Sequence, residues 1–257
     1  MRDINAYTEV YCVSDFEQLY QVYYRRKKIL ELFNGKKYDK ILEIGCGMQS
    51  IGPFLDFFKE FTVVEPGSKF IEKAKKDLAG REEPRFFQGL LEEKLDVLKN
   101  YRYDLIIVSS LIHEVEKPAE LLLAIKSLCS ENTTVHINAP NEYSMHRILA
   151  YESGIIKKID SMSERNTQLQ QSYVYNLRTL EQEIRNSGDV TIIDRGSYFV
   201  KPFSHVQMEK CLEYGIFNEQ TLEGFYNMIK YMPDLGSEIY MNYRYTENGS
   251  KKNEVKD

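Results

Sequence analysis

The sequence predicts an α/β fold built on a doubly wound, mostly parallel sheet of seven strands. The first observation is that short apolar runs alternate with helix-like segments along most of the chain. That alternation is typical of parallel strands with helices on both faces of the sheet. The second is an apolar run, 40–44, that leads directly into two glycines, Gly45 and Gly47. The predicted strands are 39–44, 61–65, 84–87, 103–109, 133–138, 189–194 and 238–246.

Helices are predicted in the segments between and before these strands. Apolar side chains recur at helical spacing near the N-terminus, which predicts an amphipathic helix over 14–33. Within it, the four consecutive cations 25–28 are expected to form a solvated face. A helix over 176–187 is expected to end at Gly188, because glycine is common just past a helix C-terminus. The other predicted helices are 50–58, 67–79, 90–98 and 117–129.

The chain is predicted to form a single domain over residues 1–247. Its first 36 residues are expected to act as lid helices, and the polar tail 248–257 is expected to be disordered. Two long, helical-looking insertions, 140–175 and 198–237, follow the carboxyl ends of strands. Ligands of open α/β sheets bind at those ends, so the insertions are expected to shape the substrate pocket.

Composition excludes several classes of partner. The net charge of −5 leaves no basic field that would gather nucleic acid. The N-terminus lacks the apolar run of a signal peptide, and no segment approaches the ~20 apolar residues that a membrane span needs. The four cysteines show no paired spacing, which indicates reduced thiols. The sequence therefore predicts a cytoplasmic protein that binds no nucleic acid and does not span a membrane.

The glycine turn after the first strand predicts a nucleoside-cofactor site. Glycine at positions 45 and 47 lets the backbone turn tightly and approach a ligand that a Cβ would block. The second strand ends at Glu65, twenty residues beyond Gly45. An acid at that distance can accept hydrogen bonds from two ribose hydroxyls of a ligand that crosses the strand ends.

Two residues near the turn distinguish between nucleoside cofactors. Ser50 stands where a dinucleotide-binding fold prefers a third glycine. Glu43 lies close to the loop, where its charge would repel a pyrophosphate but would suit a cationic sulfonium that carries an α-amino group. The sequence therefore favours a sulfonium cofactor over a nicotinamide dinucleotide.

The chain resembles the class I S-adenosylmethionine-dependent methyltransferases over residues 38–140, with weaker similarity towards the C-terminus. Glu43, Gly45 and Gly47 match the first motif of that family, and Glu65 matches the acid that ends its second strand. The segment 103–110 is similar to the family's fourth strand. The resemblance implies a Rossmann-like methyltransferase fold with an antiparallel final strand. It also implies S-adenosylmethionine as cofactor and S-adenosylhomocysteine as product.

The resemblance also implies which residues bind the cofactor, and it marks two departures from the family. Gln49 occupies a position where the family often has a third glycine, so the loop near the methionine tail is expected to sit differently. Leu90 stands where an acid usually follows Gly89, so adenine recognition is expected to rest on backbone groups. The predicted cofactor-binding residues are Glu43, Gly45, Cys46, Gly47, Glu65, Pro66, Gln88, Gly89, Leu90 and Ser109.

Three histidines are candidate catalytic residues. Methyl transfer needs alignment of the reacting groups, and it needs a base only when the acceptor is a weak nucleophile such as a hydroxyl. Histidine is the natural base near neutral pH. His113 follows the fourth strand, His146 follows the fifth and His205 begins the second insertion, although a helix-end, surface-helix or loop-packing role stays open for each. His136 lies inside the fifth strand and is expected to be a core residue. No metal site is predicted.

The acceptor is predicted from the segment after the fifth strand. Asn141, Tyr143 and Arg147 supply donors, acceptors and a guanidinium that suit a polar or anionic acceptor. The segment resembles small-molecule methyltransferases of bacterial sugar, quinone and lipid pathways, and the C-terminal insertion resembles those of capsule-modification clusters. The prediction is O-methylation of a capsular polysaccharide or phosphoramidate precursor. N- or C-methylation in secondary metabolism, a nicotinamide-dependent oxidoreductase, a non-catalytic S-adenosylmethionine-binding module and a homodimer stay open.

Overall fold

A computed structural model describes residues 16–161 and 172–246 of the protein. In these residues seven strands form one sheet in the order β3-β2-β1-β4-β5-β7-β6. Every neighbouring pair is parallel except those that β7 forms with β5 and β6. The predicted mostly parallel sheet with an antiparallel final strand is confirmed. The strands are β1 (Lys40–Ile44), β2 (Glu60–Glu65), β3 (Arg85–Gln88), β4 (Leu105–Ser109), β5 (Thr134–Pro140), β6 (Val190–Tyr198) and β7 (Glu238–Tyr245).

The helices lie mainly where the sequence predicts them. The N-terminal segment is helical in three pieces: a π-helical turn at Glu17–Gln21, helix α1 and a 3₁₀ turn at Glu31–Phe33. The first two residues of that predicted helix lie outside the described residues, as do residues 1–15 of the predicted lid segment and the polar tail. The α-helices are α1 (Val22–Leu30), α2 (Ser68–Asp77), α3 (Leu91–Leu98), α4 (Pro118–Leu128), α5 (Met145–Glu152), α6 (Leu177–Asn186), α7 (His205–Glu213) and α8 (Glu219–Asn227).

The predicted helix over 50–58 is wrong. Only a 3₁₀ turn forms there, at Gly52–Phe54, and Leu55 already has an extended backbone with φ −86° and ψ 132°. Gly52 packs so closely that a Cβ would lie 2.8 Å from a methyl group of Leu78. Packing of this turn against the core therefore overrides whatever weak helical preference the segment has.

The sheet buries both of its faces, as the doubly wound prediction requires. Alternate side chains of β1 point to opposite faces, so that Leu42 joins the apolar cluster under α3, α4 and α6. Ile41 joins the cluster under α1 and α2. Strands covered on both sides are typical of parallel sheets, since the crossover helices lie over the faces.

Two non-glycine residues at the carboxyl edge of the parallel strands have an unusual backbone. Ser110 and Phe199, the first residues after β4 and β6, have left-handed φ values of +52° and +59°. Non-glycine residues in this conformation cost about 1–3 kcal/mol each and cluster at functional sites. Helix α5 lies in the first insertion, and helices α7 and α8 lie in the second, at this same edge. None of the helices in residues 16–161 and 172–246 is long and apolar enough to cross a membrane.

Candidate active site

A cavity of about 570 Å³ opens at the carboxyl edge, between α1 and the ends of β1, β2 and β4. Its volume falls within the ~300–1,000 Å³ of typical small-molecule sites. Helix α1 and the turn before it supply one wall, which includes Gln18, Val22 and Ile29. The loop after β1 and the segment after β4 form the facing walls.

The glycine turn after β1 is shaped to leave room in this cavity. Gly45 and Gly47 have φ values of +74° and +54°, which L side chains rarely adopt. A Cβ at Gly45 would lie 3.0 Å from the side chain of Leu111. A Cβ at Gly47 would meet no atom within 4 Å, so it would project into open space at the cavity wall.

Glu65 connects the end of β2 to the glycine turn. Its carboxylate, 5% exposed, accepts hydrogen bonds from the backbone N–H of Gly67 at 2.7 Å and of Gly47 at 3.2 Å. Each carboxylate oxygen can accept more than one hydrogen bond. Glu65 can therefore hold the loop and still accept hydrogen bonds from a bound ribose. Burial raises the pKa of the neighbouring Cys46 thiol, which keeps it protonated.

Glu43 braces the far side of the same loop. It lines the cavity but is only 4% exposed, and it accepts hydrogen bonds from the Ser50 hydroxyl at 2.5 Å and from the Ile51 N–H at 2.9 Å. Burial raises its pKa to about 7, against the opposing effect of these hydrogen bonds. The Ser50 hydroxyl donates a hydrogen bond to this buried acid. This bond accounts for a serine at a position where a dinucleotide-binding fold prefers glycine.

Nine of the ten residues predicted to bind the cofactor line this one cavity. The exception is Gln88, which is exposed at the end of β3. Gly89 follows it with a φ of +141°, and a Cβ there would lie 2.5 Å from the side chain of Lys94. The Leu90 N–H donates to the Glu93 carboxylate at 3.2 Å, while the Leu90 side chain is 46% exposed. The nine are Glu43, Gly45, Cys46, Gly47, Glu65, Pro66, Gly89, Leu90 and Ser109.

The three candidate histidines lie outside the lining of the cavity in the described part of the chain. His113 is 2% exposed, and its Nε2 lies 3.6 Å from a carboxylate oxygen of Glu114, which does line the cavity. His205 places Nδ1 3.4 Å from a carboxylate oxygen of Glu17. Burial, helped by the charges of Lys201 and other cations, holds the pKa of His146 well below its usual range.

His136 is a core residue, as predicted. It is fully buried in β5, where Nδ1 pairs with the Asn242 amide oxygen at 2.7 Å and Nε2 with the Asn138 amide nitrogen at 3.0 Å. Burial lowers the pKa of His136 to about 4. A neutral imidazole with both nitrogens paired explains how the core accommodates it.

The three predicted acceptor-binding residues also lie outside the cavity lining. The Asn141 amide donates to the backbone carbonyls of Asp234 and Gly236 at 2.9 and 2.8 Å, which joins the two insertions. Arg147 donates through Nη2 to the Ser161 carbonyl at 2.8 Å. Tyr143 is 45% exposed. The structure therefore groups these residues around the first insertion and not around the cavity.

The solvated face predicted for 25–28 is wrong for Arg25. Its side chain lines the cavity and is buried, with Nε 2.9 Å from a carboxylate oxygen of Glu238 and Nη2 3.0 Å from one of Glu17. Glu238 also accepts hydrogen bonds from Gln21 at 3.0 Å and from the Tyr198 hydroxyl. One feature of the sequence could have predicted this burial: Arg25 follows Gln21 by four residues, which places both side chains on the same helical face.

Glu114 and Arg26 are two further cavity residues that sequence reasoning missed. The polar segment after the fourth strand offered both His113 and Glu114, and only the fold shows which of them reaches the cavity. In residues 16–161 and 172–246, His, Cys, Asp and Glu form no group that could hold a metal ion.

Comparison with known proteins identifies the fold and the family. A family profile described as "Methyltransferase domain" matches residues 17–188. The chain belongs to this family. It is an S-adenosylmethionine-dependent methyltransferase, and its product is S-adenosylhomocysteine. A search of curated protein sequences finds no significant match.

Solved structures share the fold of this methyltransferase at low sequence identity. The N-methyltransferase NodS from Bradyrhizobium japonicum WM9, bound to S-adenosylhomocysteine, is 13% identical, with 92% of this chain and 90% of that chain covered and a TM-score of 0.55. A possible histamine N-methyltransferase from Thermotoga maritima is 12% identical, with coverages of 88% and 89% and a TM-score of 0.55. The plantazolicin methyltransferase BamL is 14% identical, with coverages of 89% and 86% and a TM-score of 0.55.

The residues of the cavity fit the cofactor of the family. Gly47 leaves a space that a Cβ would occupy, and Glu65 offers buried carboxylate oxygens beside that space. Glu43 adds a second acid against the same loop. Two buried carboxyl groups against the glycine loop suit a cationic sulfonium better than a pyrophosphate.

Proposed function

We propose that this methyltransferase O-methylates a small polar acceptor, such as a capsular polysaccharide or phosphoramidate precursor. The observation that supports the proposal is the single cavity of about 570 Å³ that gathers nine of the ten predicted cofactor residues. Two long insertions follow strands at the same edge. A cavity of that size has room for the cofactor and for only a small acceptor group beside it.

In this proposal the protein binds the nucleoside and aligns the acceptor. When bound, the cofactor supplies a methyl group that its sulfonium has already activated. Glu65 accepts hydrogen bonds from the ribose, Gly47 lets the backbone come close, and the Leu90 segment contacts the adenine through backbone groups. Helix α1 covers the open side and excludes water from the reacting groups.

We propose that His113 positions or deprotonates the acceptor hydroxyl, with His146 and His205 as the alternatives. His113 lies behind Glu114, so its influence on the acceptor passes through that carboxylate. Asn141, Tyr143 and Arg147 are proposed to bind the acceptor from the side of the first insertion. The contacts of Asn141 with both insertions support a role in holding that side of the pocket in shape.

N-methylation of a small amine is the second candidate, because acidic side chains dominate the cavity lining. A protonated amine would be drawn to such a lining. It would give up its proton to a carboxylate before attacking the methyl group. The lining carboxylates are Glu43, Glu65, Glu92, Glu93, Glu114, Glu116 and Glu120, against the cations Arg25, Arg26 and Lys117.

Calorimetry followed by a labelling assay tests the proposal. S-adenosylhomocysteine should bind and NAD should not, whereas tight NAD binding without heat from S-adenosylhomocysteine would indicate an oxidoreductase. Incubation with labelled cofactor and a metabolite extract should then label one small acceptor, and mass spectrometry locates the methyl group on oxygen or nitrogen. Binding without any labelled product would favour a non-catalytic cofactor-binding module.

A further inference from the structure

Gln49, which stands where the family often has a third glycine, contacts a residue on the opposite wall of the cavity. Gln49 follows the glycine turn, and its amide oxygen accepts a hydrogen bond from Nη1 of Arg26 at 2.6 Å. Arg26 lies on α1, on the opposite wall of the cavity, and both residues line that cavity. A glycine at position 49, which the family often has, could not make this bond. The residue that departs from the family pattern therefore joins the two walls.

Arg26 makes a second contact across the same gap. Its guanidinium carbon lies 3.8 Å from the ring centroid of Phe54, in the 3₁₀ turn that replaces the predicted helix. A planar guanidinium stacks on an aromatic ring and donates hydrogen bonds from its edge at the same time. Arg26 thus connects α1 to both the loop at Gln49 and the turn at Phe54, while Tyr23 lies 5.7 Å away on the same helix.

The neighbouring residue, Arg25, fastens α1 in a different way. Arg25 is buried and bonded to the carboxylates of Glu238 and Glu17, so its release would leave unpaired charges in the interior. The contacts of Arg26 lie near the surface, where Gln49 is exposed and water can replace the hydrogen bond. The buried ion pairs of Arg25 therefore hold one face of α1 firmly. The contacts of Arg26 on the other face can break at a low cost in free energy.

We propose that Arg26, Gln49 and Phe54 form a latch that holds α1 across the cofactor cavity and slows the release of bound cofactor product. The inference rests on the proposed assignment of this cavity to S-adenosylmethionine. The three side chains act as positioning residues, because they close the wall beside the methionine-tail end of the loop and leave the cofactor contacts of Glu65 unchanged. Gln49 then contributes, together with Arg26, to the exchange rate of the cofactor.

Release of S-adenosylhomocysteine, followed by stopped-flow tyrosine fluorescence, tests the latch. Arg26→Met should raise the dissociation rate constant about tenfold and Gln49→Ala about threefold, from the loss of the stacking and hydrogen-bond contributions. The double variant should release no faster than Arg26→Met alone, because the bond is already absent. Gln49→Glu should slow release, since the Arg26 guanidinium would then donate to a charged carboxylate in place of a neutral amide oxygen.

A matched control lies one residue along the same helix. Lys27 forms an ion pair with Glu223, away from the glycine loop, so Lys27→Met should leave the release rate unchanged. Hydrogen exchange gives a readout without any ligand, because Arg26→Met should speed amide exchange in the loop at Gln49 and the turn at Phe54 and Lys27→Met should not. Equal acceleration in Lys27→Met, or a release rate within twofold of wild type in Arg26→Met, would overturn the latch alone. Failure of the wild-type protein to bind S-adenosylhomocysteine would overturn both the latch and the assignment of the cavity.

Discussion

The carboxyl edge of the sheet has two halves, and each half is stabilised by a different kind of hydrogen bond. Around the ends of β1 and β2, carboxylates hold backbone N–H groups that are near in sequence, as Glu43 does with Ile51 and Glu65 with Gly67. Around the ends of β6 and β7, side chains bond to side chains from the other end of the chain. Arg25 and Glu238 are 213 residues apart.

Local sequence specifies the contacts around β1 and β2, whereas the contacts around β6 and β7 form only in the complete fold. A loop held by its own neighbours keeps its shape whatever lies beyond it, and a nucleoside cofactor needs such a fixed loop. The proposed acceptor side depends on α1 being docked against the last strand through Arg25 and Glu238. Variation there can alter the acceptor pocket without disturbing the cofactor loop, which suits a fold that serves many acceptors.

The largest expected effect lies at the boundary between the halves, at His113. His113→Asn should leave S-adenosylhomocysteine affinity intact and lower turnover of the labelled acceptor by about 10²–10⁴-fold, the range for lost general-base catalysis, because the proton path through Glu114 then ends without its base. The surviving activity should rise towards high pH. The measurement is the pH profile of initial rate, with His146→Asn and His205→Asn assayed in parallel. Near-normal turnover in His113→Asn with collapse in one of the others would move the role to that histidine.

The next largest effect tests the long-range bonds of the acceptor half. Glu238→Ala should lower the free energy of unfolding by about 3–5 kcal/mol, because it leaves the buried Arg25 without its main partner. Chemical denaturation measures the change. Glu223→Ala is the control, since it breaks the half-exposed Lys27 pair on the same helix and should cost about 1 kcal/mol. Equal losses in the two variants would show that burial of the Arg25 pair contributes nothing extra.

The same contrast explains how much could be predicted from the sequence. The strands, the antiparallel last strand and nine cavity residues followed from local pattern and from a family resemblance that rests on contiguous motifs. The position of Arg25 did not follow, because a run of four cations is a solvated face unless a carboxylate from a distant strand meets it. The turn at Gly52–Phe54 also escaped prediction, since close packing on Leu78 decides it.

The pH dependence of stability tests the bracing of the cofactor half by Glu43. Burial raises the pKa of Glu43 from 4.5 to about 7, so the folded protein keeps a proton that the unfolded chain releases across this window. The contribution of Glu43 to stability therefore falls as pH rises from 4.5 to about 7 and is constant above it, a change of about 3 kcal/mol. Glu43→Gln removes this change.

The comparison is made between wild type and Glu43→Gln at each pH, because other groups titrate in the same range. His136 acts in the opposite direction: its pKa is lowered to about 4, so its contribution is lost as pH falls from 6.5 towards that value. Denaturation curves at pH 5 and pH 8 should show the variant gaining stability relative to wild type at the higher pH. Parallel curves for the two proteins would show that Glu43 does not titrate in this window.

The smallest of these effects belongs to Glu65, where cofactor affinity and loop stability are coupled. Glu65→Ala removes charge-assisted hydrogen bonds worth about 1.5–3 kcal/mol each to a bound ribose, so calorimetry should show at least a tenfold loss of affinity for S-adenosylhomocysteine. The backbone N–H groups of Gly47 and Gly67 lose their acceptor in the same variant, which should lower unfolding stability by about 1–3 kcal/mol. Glu65→Gln separates the two effects in part, because its one amide oxygen can still accept from one of the two backbone N–H groups while the charge is gone. Affinity lost in both variants with stability partly recovered in Glu65→Gln would confirm that the carboxylate serves the ribose as well as the loop. Unaltered affinity in both would show that the ribose is held elsewhere.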